Sequence, residues 1–176
     1  KKIKDQDGVG SCATESTAQS IEILRHFGGM EFIELNPWFI YYTTSGGSDR
    51  GSSIDANLRF VVENGCAPES IWPRRNGWRT RPSAEAYEAA KHYKIEEWWD
   101  CTSTQEIGSA LLLGFPVVFG WSGHSTVMTR LLGPDLAEYA NSWGANWGDN
   151  GFGTVRLSQV NWNYGAYIPR VATVNE

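Results

Sequence analysis

The chain has 176 residues, 41% of them hydrophobic, with nine Trp, seven Tyr and seven Phe; this is enough apolar surface for one domain or two small lobes with a packed core, and it excludes a disordered segment. The formal net charge of -5 does not suit a nucleic-acid surface, and no apolar run approaches the roughly 20 residues that a bilayer span requires. Three cysteines, Cys12, Cys66 and Cys101, are few for a secreted disulfide scaffold, and no two of these and His26, His92 and His124 have zinc-ligand spacing. Cys66 and Cys101 sit near apolar stretches, where two buried free thiols are favoured over a bridge. The start at Lys1-Lys2-Ile3-Lys4 has neither an initiator Met nor a signal-peptide pattern, as expected of a processed product, an excised domain or an incomplete start.

In chain order, Ser11 caps a helix running to about Phe27, with Ala18, Ile21 and Leu24 at helical spacing and Gly28-Gly29 as its end. Asn36-Pro37 opens a second helix through Trp38, Phe39, Ile40, Tyr41 and Tyr42; Thr43-Thr44 weaken it and Ser45-Gly46-Gly47-Ser48 break it. Ser52 or Ser53 caps a third helix, with Ile54, Leu58, Val61 and Val62 apolar and Gly65 closing it. A polar stretch from Pro68 to Pro82 follows, and its Arg74, Arg75, Arg79 and Arg81 are expected to form a solvated loop. Ala84 to Ala90 predicts a helix, Tyr93 to Trp99 a strand, and Thr104-Gln105-Glu106 another helix that carries Ile107, Leu111 and Leu112 and ends at Gly114. Pro116 to Trp121 predicts a buried strand, and further strands are expected at Ser125–Leu131, Leu136–Asn141, Gly153–Leu157 and Ala166–Val171, with turns at Gly133-Pro134 and Asn150-Gly151. Helices therefore dominate the first half and strands the second.

Three polar side chains stand out against this background. Cys12 lies at the start of the first helix, where the helix N-terminus favours a thiolate. His124 follows more than a hundred residues later in Gly123-His124, and then comes Asn141 in Asn141-Ser142-Trp143-Gly144. A thiol, an imidazole and a carboxamide in this order are the parts of a nucleophilic site: the imidazole takes the thiol proton and the carboxamide orients the ring. A helical lobe carrying the thiol and a sheet lobe carrying the base would leave a cleft between them.

These residues, taken with their neighbours, resemble the papain-like cysteine peptidases. The resemblance runs from Lys4 to about Val174. It rests on Gln6 and Cys12, on Glu22 ten residues further on, on Gly51-Ser52-Ser53-Ile54, on Pro68-Glu69-Ser70-Ile71-Trp72-Pro73, and above all on the run from Asn141 to Gly153. The Gly-Ser-Ser-Ile and Pro-Glu-Ser-Ile-Trp-Pro stretches look most like the bacterial, archaeal and viral branch, which points to a microbial or viral origin. The resemblance implies an α+β fold with a helical N-terminal lobe (about 8–92), a C-terminal lobe of antiparallel sheet or barrel (about 93–174) and the active-site cleft between them, all within a single domain.

It also implies cysteine endopeptidase activity through a thioester acyl-enzyme. Cys12 would be the nucleophile, His124 the base and later the acid, and Asn141 the residue that holds the imidazole. Trp143 would shield that contact, and Gln6 with the backbone N–H of Cys12 would form the oxyanion hole. Gly51, Ser52 and Gly123 would meet the substrate. No metal or organic cofactor is implied. The expected partners are a polypeptide substrate and a propeptide or protein inhibitor, with no nucleic acid and no membrane, and the chain is expected to be a monomer. Glu22 and Trp147 are assigned to structure, and His26 and His92 to the solvent-facing surface.

The sequence also departs from the family. Ala13 and Glu15 replace a usual Trp and Phe beside the nucleophile, and Glu15 would oppose thiol ionisation if it pointed into the cleft. Val9 replaces a cysteine, so the usual neighbouring bridge cannot form; the low cysteine count does not suit a disulfide-rich lysosomal or secreted member. Gly51-Ser52 keeps one of two glycines. Only Trp121-Ser122-Gly123 separates the Pro116–Gly120 strand from His124. A much longer family loop is missing there, which should open the cleft and place Trp121 near the substrate path. The segment before Gln6 that straps the lobes is cut short. Two other readings use the same residues: acyl-transfer or amidase chemistry, against which Asn141 argues because transglutaminases have Asp there, and a catalytically silent binding module.

Overall fold

The first half of the chain builds helices because its apolar residues recur at helical spacing between good stop signals. The computed structural model describes residues 2–170. It contains α1 (Cys12–Phe27), α2 (Pro37–Thr44), α3 (Ile54–Glu63), α4 (Ala84–Ala90) and α5 (Thr104–Leu112). The strands are β1 (Glu97–Asp100), β2 (Val117–Trp121), β3 (His124–Gly133), β4 (Leu136–Ala140), β5 (Phe152–Arg156) and β6 (Ala166–Arg170). All pairings in the six-stranded sheet are antiparallel, in the order β1-β6-β2-β3-β4-β5. The expected α+β class is the one observed. Strand ends differ from expectation by a residue or two, and Val171, the forecast end of the last strand, lies outside the described residues together with Lys1 and 172–176.

The starts of α2, α4 and α5 follow local chemistry, whereas neither Ser52 nor Ser53 makes the expected side-chain cap at α3. Asn36, Ser83 and Ser103 each accept a hydrogen bond from a backbone N–H of the first turn. Ser11 does not cap α1 in this way. Its hydroxyl instead donates to Glu15 Oε1 at 3.0 Å and accepts from Trp38 Nε1 at 3.2 Å, a correction to the expected cap. The strand forecast over Tyr93–Trp99 is also corrected. Only Glu97–Asp100 pairs with β6, while the Tyr93 carbonyl accepts from the Cys66 N–H and stays tied to the helices.

The sheet separates two clusters of buried side chains, as the two-residue period of a strand requires. Val118, Val127 and Ala140 face α1, α2 and α3 with Ile21, Leu35, Phe39, Leu58 and Val61. Val117, Phe119, Met128 and Ala137 face α5 with Ile107 and Leu111. Helix α1 runs through the middle, buried on every side from Ala13 to Arg25. A sequence rich in Ser, Thr and Gln survives there because its hydroxyls bond back to the helix: Thr17 Oγ1 and Ser20 Oγ reach Ala13 O and Thr17 O at 2.7 Å. Ser16 Oγ lies 2.7 Å from Ser125 Oγ, linking α1 directly to β3. Cys66 and Cys101 are buried free thiols, and burial pushes both thiols up.

The segment from Lys4 to Gln6 ties the helices to the sheet. Lys4 Nζ meets Glu22 Oε1 at 2.5 Å and the Leu35 carbonyl at 2.7 Å on the helical side. Towards the sheet, the Lys4 carbonyl accepts from Gly144 N–H at 3.0 Å and Gln6 N–H donates to the Ser142 carbonyl at 2.9 Å. Glu22 thus has a structural setting, completed by the Leu35 N–H at 2.8 Å.

Candidate active site

Cys12 is the first residue of α1 and is half-buried. Its thiol is surrounded by backbone N–H groups, including that of Ser125, the residue that follows His124. Burial pushes the thiol above its ordinary value, while the amides of Ser125, Ala13 and Cys12 itself pull the other way. The helix N-terminus and the amides are therefore placed to receive negative charge on sulfur once a base removes the proton.

His124 begins β3 and pairs with Trp121 across a two-residue hairpin. Ser122 and Gly123 have φ of 48° and 77°, the left-handed pair that a type I′ turn needs. The imidazole Nε2 lies 2.7 Å from Asn141 Oδ1. The same Oδ1 accepts from the Ser142 backbone N–H at 2.8 Å, so the atom facing the ring is the oxygen and Nε2 carries the hydrogen. That tautomer leaves Nδ1 with a lone pair. Desolvation holds the imidazole below its ordinary value, and the Asn141 bond partly offsets this. Trp143 stacks on the ring with centroids 4.6 Å apart and planes 24° apart, while Trp121 meets its edge at 5.9 Å.

Asn141 is fully buried, and its N–H donates to the Gly151 carbonyl at 2.9 Å. Gly151, at φ 91°, lets the Asn150-Gly151 turn double back under it, and a Cβ there would lie 2.5 Å from Ile3. Gln6 is held at both ends of its amide: Nε2 donates to the Val9 carbonyl at 2.7 Å and Oε1 accepts from Ser142 Oγ at 2.7 Å. The Gln6 side chain is thus bonded to the loop that delivers Cys12, with a second Nε2 hydrogen to spare.

Of the residues expected to meet substrate, Gly51 packs beside Gly10, and its N–H is taken by Tyr41 Oη at 3.1 Å. Asp49 Oδ1 fixes that arrangement by accepting from Gly10 N–H at 2.7 Å and Tyr41 Oη at 2.8 Å. Ser52 Oγ accepts from Asn57 Nδ2 at 3.0 Å, and Gly123 sits exposed at the hairpin turn next to His124. Trp147 packs against Tyr139 and Trp143, and His26 and His92 are exposed.

Two charged residues, Glu15 and Arg74, bear on the expectations made for them. Glu15 is fully buried and forms an ion pair with Arg74, and its charge still adds to the forces that push the Cys12 thiol up. Arg74 is accordingly not part of a solvated loop: it also binds Glu69, through Nε at 3.2 Å and its backbone N–H at 2.9 Å, and donates to the Asp5 carbonyl. Arg75, Arg79 and Arg81 are exposed, as expected. No local signal marks Arg74, because its partner Glu15 lies 59 positions away. Trp121, expected near the substrate path, touches the imidazole edge but directs its ring to the α5 side of the sheet. There it lines a cavity of about 240 Å³ with Phe119, Tyr139 and Val155. Ser142 and Ser125, which bind Gln6 and surround the thiol, were not singled out although both adjoin residues that were.

No family model matches the chain. It is similar to an uncharacterised peptidase C1-like protein, L477, of Acanthamoeba polyphaga mimivirus, at 27% identity over 196 aligned positions that take in 84% of this chain. The chain spans 62% of the length of that relative. Among solved structures it superposes on xylellain, a cysteine protease from Xylella fastidiosa, with a TM-score of 0.84 at 20% identity, over 97% of this chain and 83% of that one. It also superposes on a digestive procathepsin L 3 of Tenebrio molitor larval midgut, with a TM-score of 0.77 at 18% identity, over 97% and 66% of the two chains. The fold is papain-like.

Proposed function

We propose that this papain-like chain is a cysteine endopeptidase in which Cys12, His124 and Asn141 act together. One observation carries the reading: the 2.7 Å contact of His124 Nε2 with Asn141 Oδ1, beneath Trp143, which leaves the Nδ1 lone pair available as a base. Nδ1 takes the Cys12 proton, and the thiolate attacks the scissile carbonyl carbon. The carbonyl electron pair moves to oxygen, where Gln6 Nε2–H and the Cys12 backbone N–H donate to it. Collapse re-forms the carbonyl and breaks the C–N bond, and the departing amine takes the proton from imidazolium Nδ1. His124 then deprotonates a water that attacks the thioester, and Cys12 leaves as thiolate to be reprotonated.

Ser142 supports the oxyanion donor by fixing Oε1 of Gln6, so that the amide must present N–H and not oxygen. Gly51 accepts the substrate backbone through its carbonyl, since its N–H is already bound to Tyr41, and Gly123 leaves room beside the imidazole. A polypeptide is the substrate, and a propeptide or inhibitor segment is the second class of occupant of the same cleft. Part of the support for that second class is that one of the similar structures is a procathepsin.

The test is hydrolysis of a fluorogenic peptide library together with labelling by an epoxide cysteine-protease inhibitor. Wild type should cleave and take the label at Cys12, and Cys12→Ala should do neither. Incorporation of an added amine in place of hydrolysis would favour acyl transfer. An unlabelled, inactive wild type would overturn the reading.

A further inference from the structure

Resting on the peptidase reading, we infer that the buried Glu15–Arg74 pair is a positioning device that sets the oxyanion donor Gln6 against the nucleophile Cys12. Its hydrogen bonds end on the residues immediately before those two groups. At one end Glu15 Oε1 accepts from Ser11 Oγ at 3.0 Å, and Ser11 precedes Cys12. At the other end Arg74 Nη1 donates to the carbonyl of Asp5, which precedes Gln6, while Nη2 donates to Glu15 Oε2.

The Asp5–Gln6 peptide unit is gripped from both sides. Arg74 holds its carbonyl from the helical side, and its N–H donates to the Ser142 carbonyl on the sheet side at 2.9 Å. Arg74 itself has little freedom. Glu69 binds it twice, and its guanidinium lies over the Trp38 ring at 5.2 Å from the centroid. Trp38 Nε1 in turn donates to Ser11 Oγ at 3.2 Å, so the two ends are cross-linked by the same indole.

A merely structural pair would not need this pattern. Two charges in a dry interior are, for stability alone, about as well served by apolar residues of the same volume. The ion pair supplies direction instead: a planar fork that fixes one carbonyl and one hydroxyl at a set separation. An error of about 1 Å in the placement of an oxyanion donor costs on the order of 100-fold in rate.

The test is a double-mutant cycle in kcat between Arg74→Lys and Gln6→Ala, with KM, Cys12 alkylation by iodoacetamide and the unfolding midpoint measured alongside. Lysine keeps the charge and loses the fork. Arg74→Lys should lower kcat about 10- to 100-fold with KM changed less than about threefold, and alkylation, which needs no oxyanion hole, should stay within about threefold. In the Gln6→Ala background the same change should lower kcat no further, because Arg74 acts through Gln6. Glu15→Gln, nearly isosteric, is the second variant in case Arg74→Lys does not fold, and it should show the same loss of additivity with Gln6→Ala. Unchanged kcat in both variants, or effects that multiply with Gln6→Ala, would overturn the inference while leaving the peptidase reading intact. A wild type that neither cleaves peptides nor alkylates at Cys12 would overturn both.

Discussion

His124 is held by three contacts of different kinds: a hydrogen bond from Nε2 to Asn141, a stacked Trp143 and an edge-on Trp121. Burial works against the charged form of the imidazole, and the Asn141 bond works for it. In the proposed mechanism the imidazolium must survive long enough to protonate the amine, so loss of that bond has a definite sign. Asn141→Ala removes the one contact that raises the imidazole, and its pKa falls further. The alkaline limb of the kcat/KM–pH profile, where imidazolium is lost, should therefore move to lower pH; a limb that stays or moves up would contradict this role. The candidate residues Cys12, His124 and Asn141 were singled out from side-chain type and chain order, and Gln6 through the family resemblance. Arg74 was not, because what gives it meaning is a carboxylate 59 positions earlier.

At the scale of elements, α1 carries the thiol and is surrounded on all sides, so its polar residues must be satisfied internally or by neighbouring elements. Glu15 is the extreme case. Burial pushes its carboxyl up to about 7 against the pull of Arg74 and Lys4. Because the folded value lies above the ordinary 4.5, the stabilisation from holding the proton is complete below about pH 4.5 and is lost as pH rises through about 7. Arg74→Met should therefore destabilise most above pH 7, by about 3–5 kcal/mol, where a charged Glu15 is stranded. The loss should shrink as pH falls, and Glu15→Gln should remove most of it. Urea unfolding at pH 5.5 and pH 8 checks both the size and the sign. The helices and strands themselves were visible as 3.6- and 2-residue periods, with departures at the caps Ser11 and Ser53 and at Tyr93. At Ser11 the hydroxyl goes to Glu15, four residues on, and to the distant Trp38, and at Tyr93 the carbonyl goes to the distant Cys66.

At the scale of the molecule, the helices and the sheet meet along α1 and are tied by the segment from Lys4 to Gln6. Lys4 and Glu22 are both almost wholly buried, and their 2.5 Å contact anchors that segment to the helical side. Lys4→Ala leaves Glu22 with the Leu35 N–H and no cation, so a loss of about 3–5 kcal/mol in unfolding free energy is expected. Activity should fall with it, since Gln6 lies two residues further on; chemical denaturation read beside peptide hydrolysis tests the coupling. The order of residues along the chain already pointed to helices in the first half and strands in the second, to the turns at Gly133-Pro134 and Asn150-Gly151, and to the set of side chains Cys12, His124 and Asn141. These follow from periodicity, turn chemistry and side-chain type, which act over a few residues. The burial of Glu15, the recruitment of Arg74 and the ties made by Lys4 and Gln6 follow from contacts between distant parts of the chain. A buried charge takes whichever partner the packed fold brings to it, and no local pattern encodes that partner.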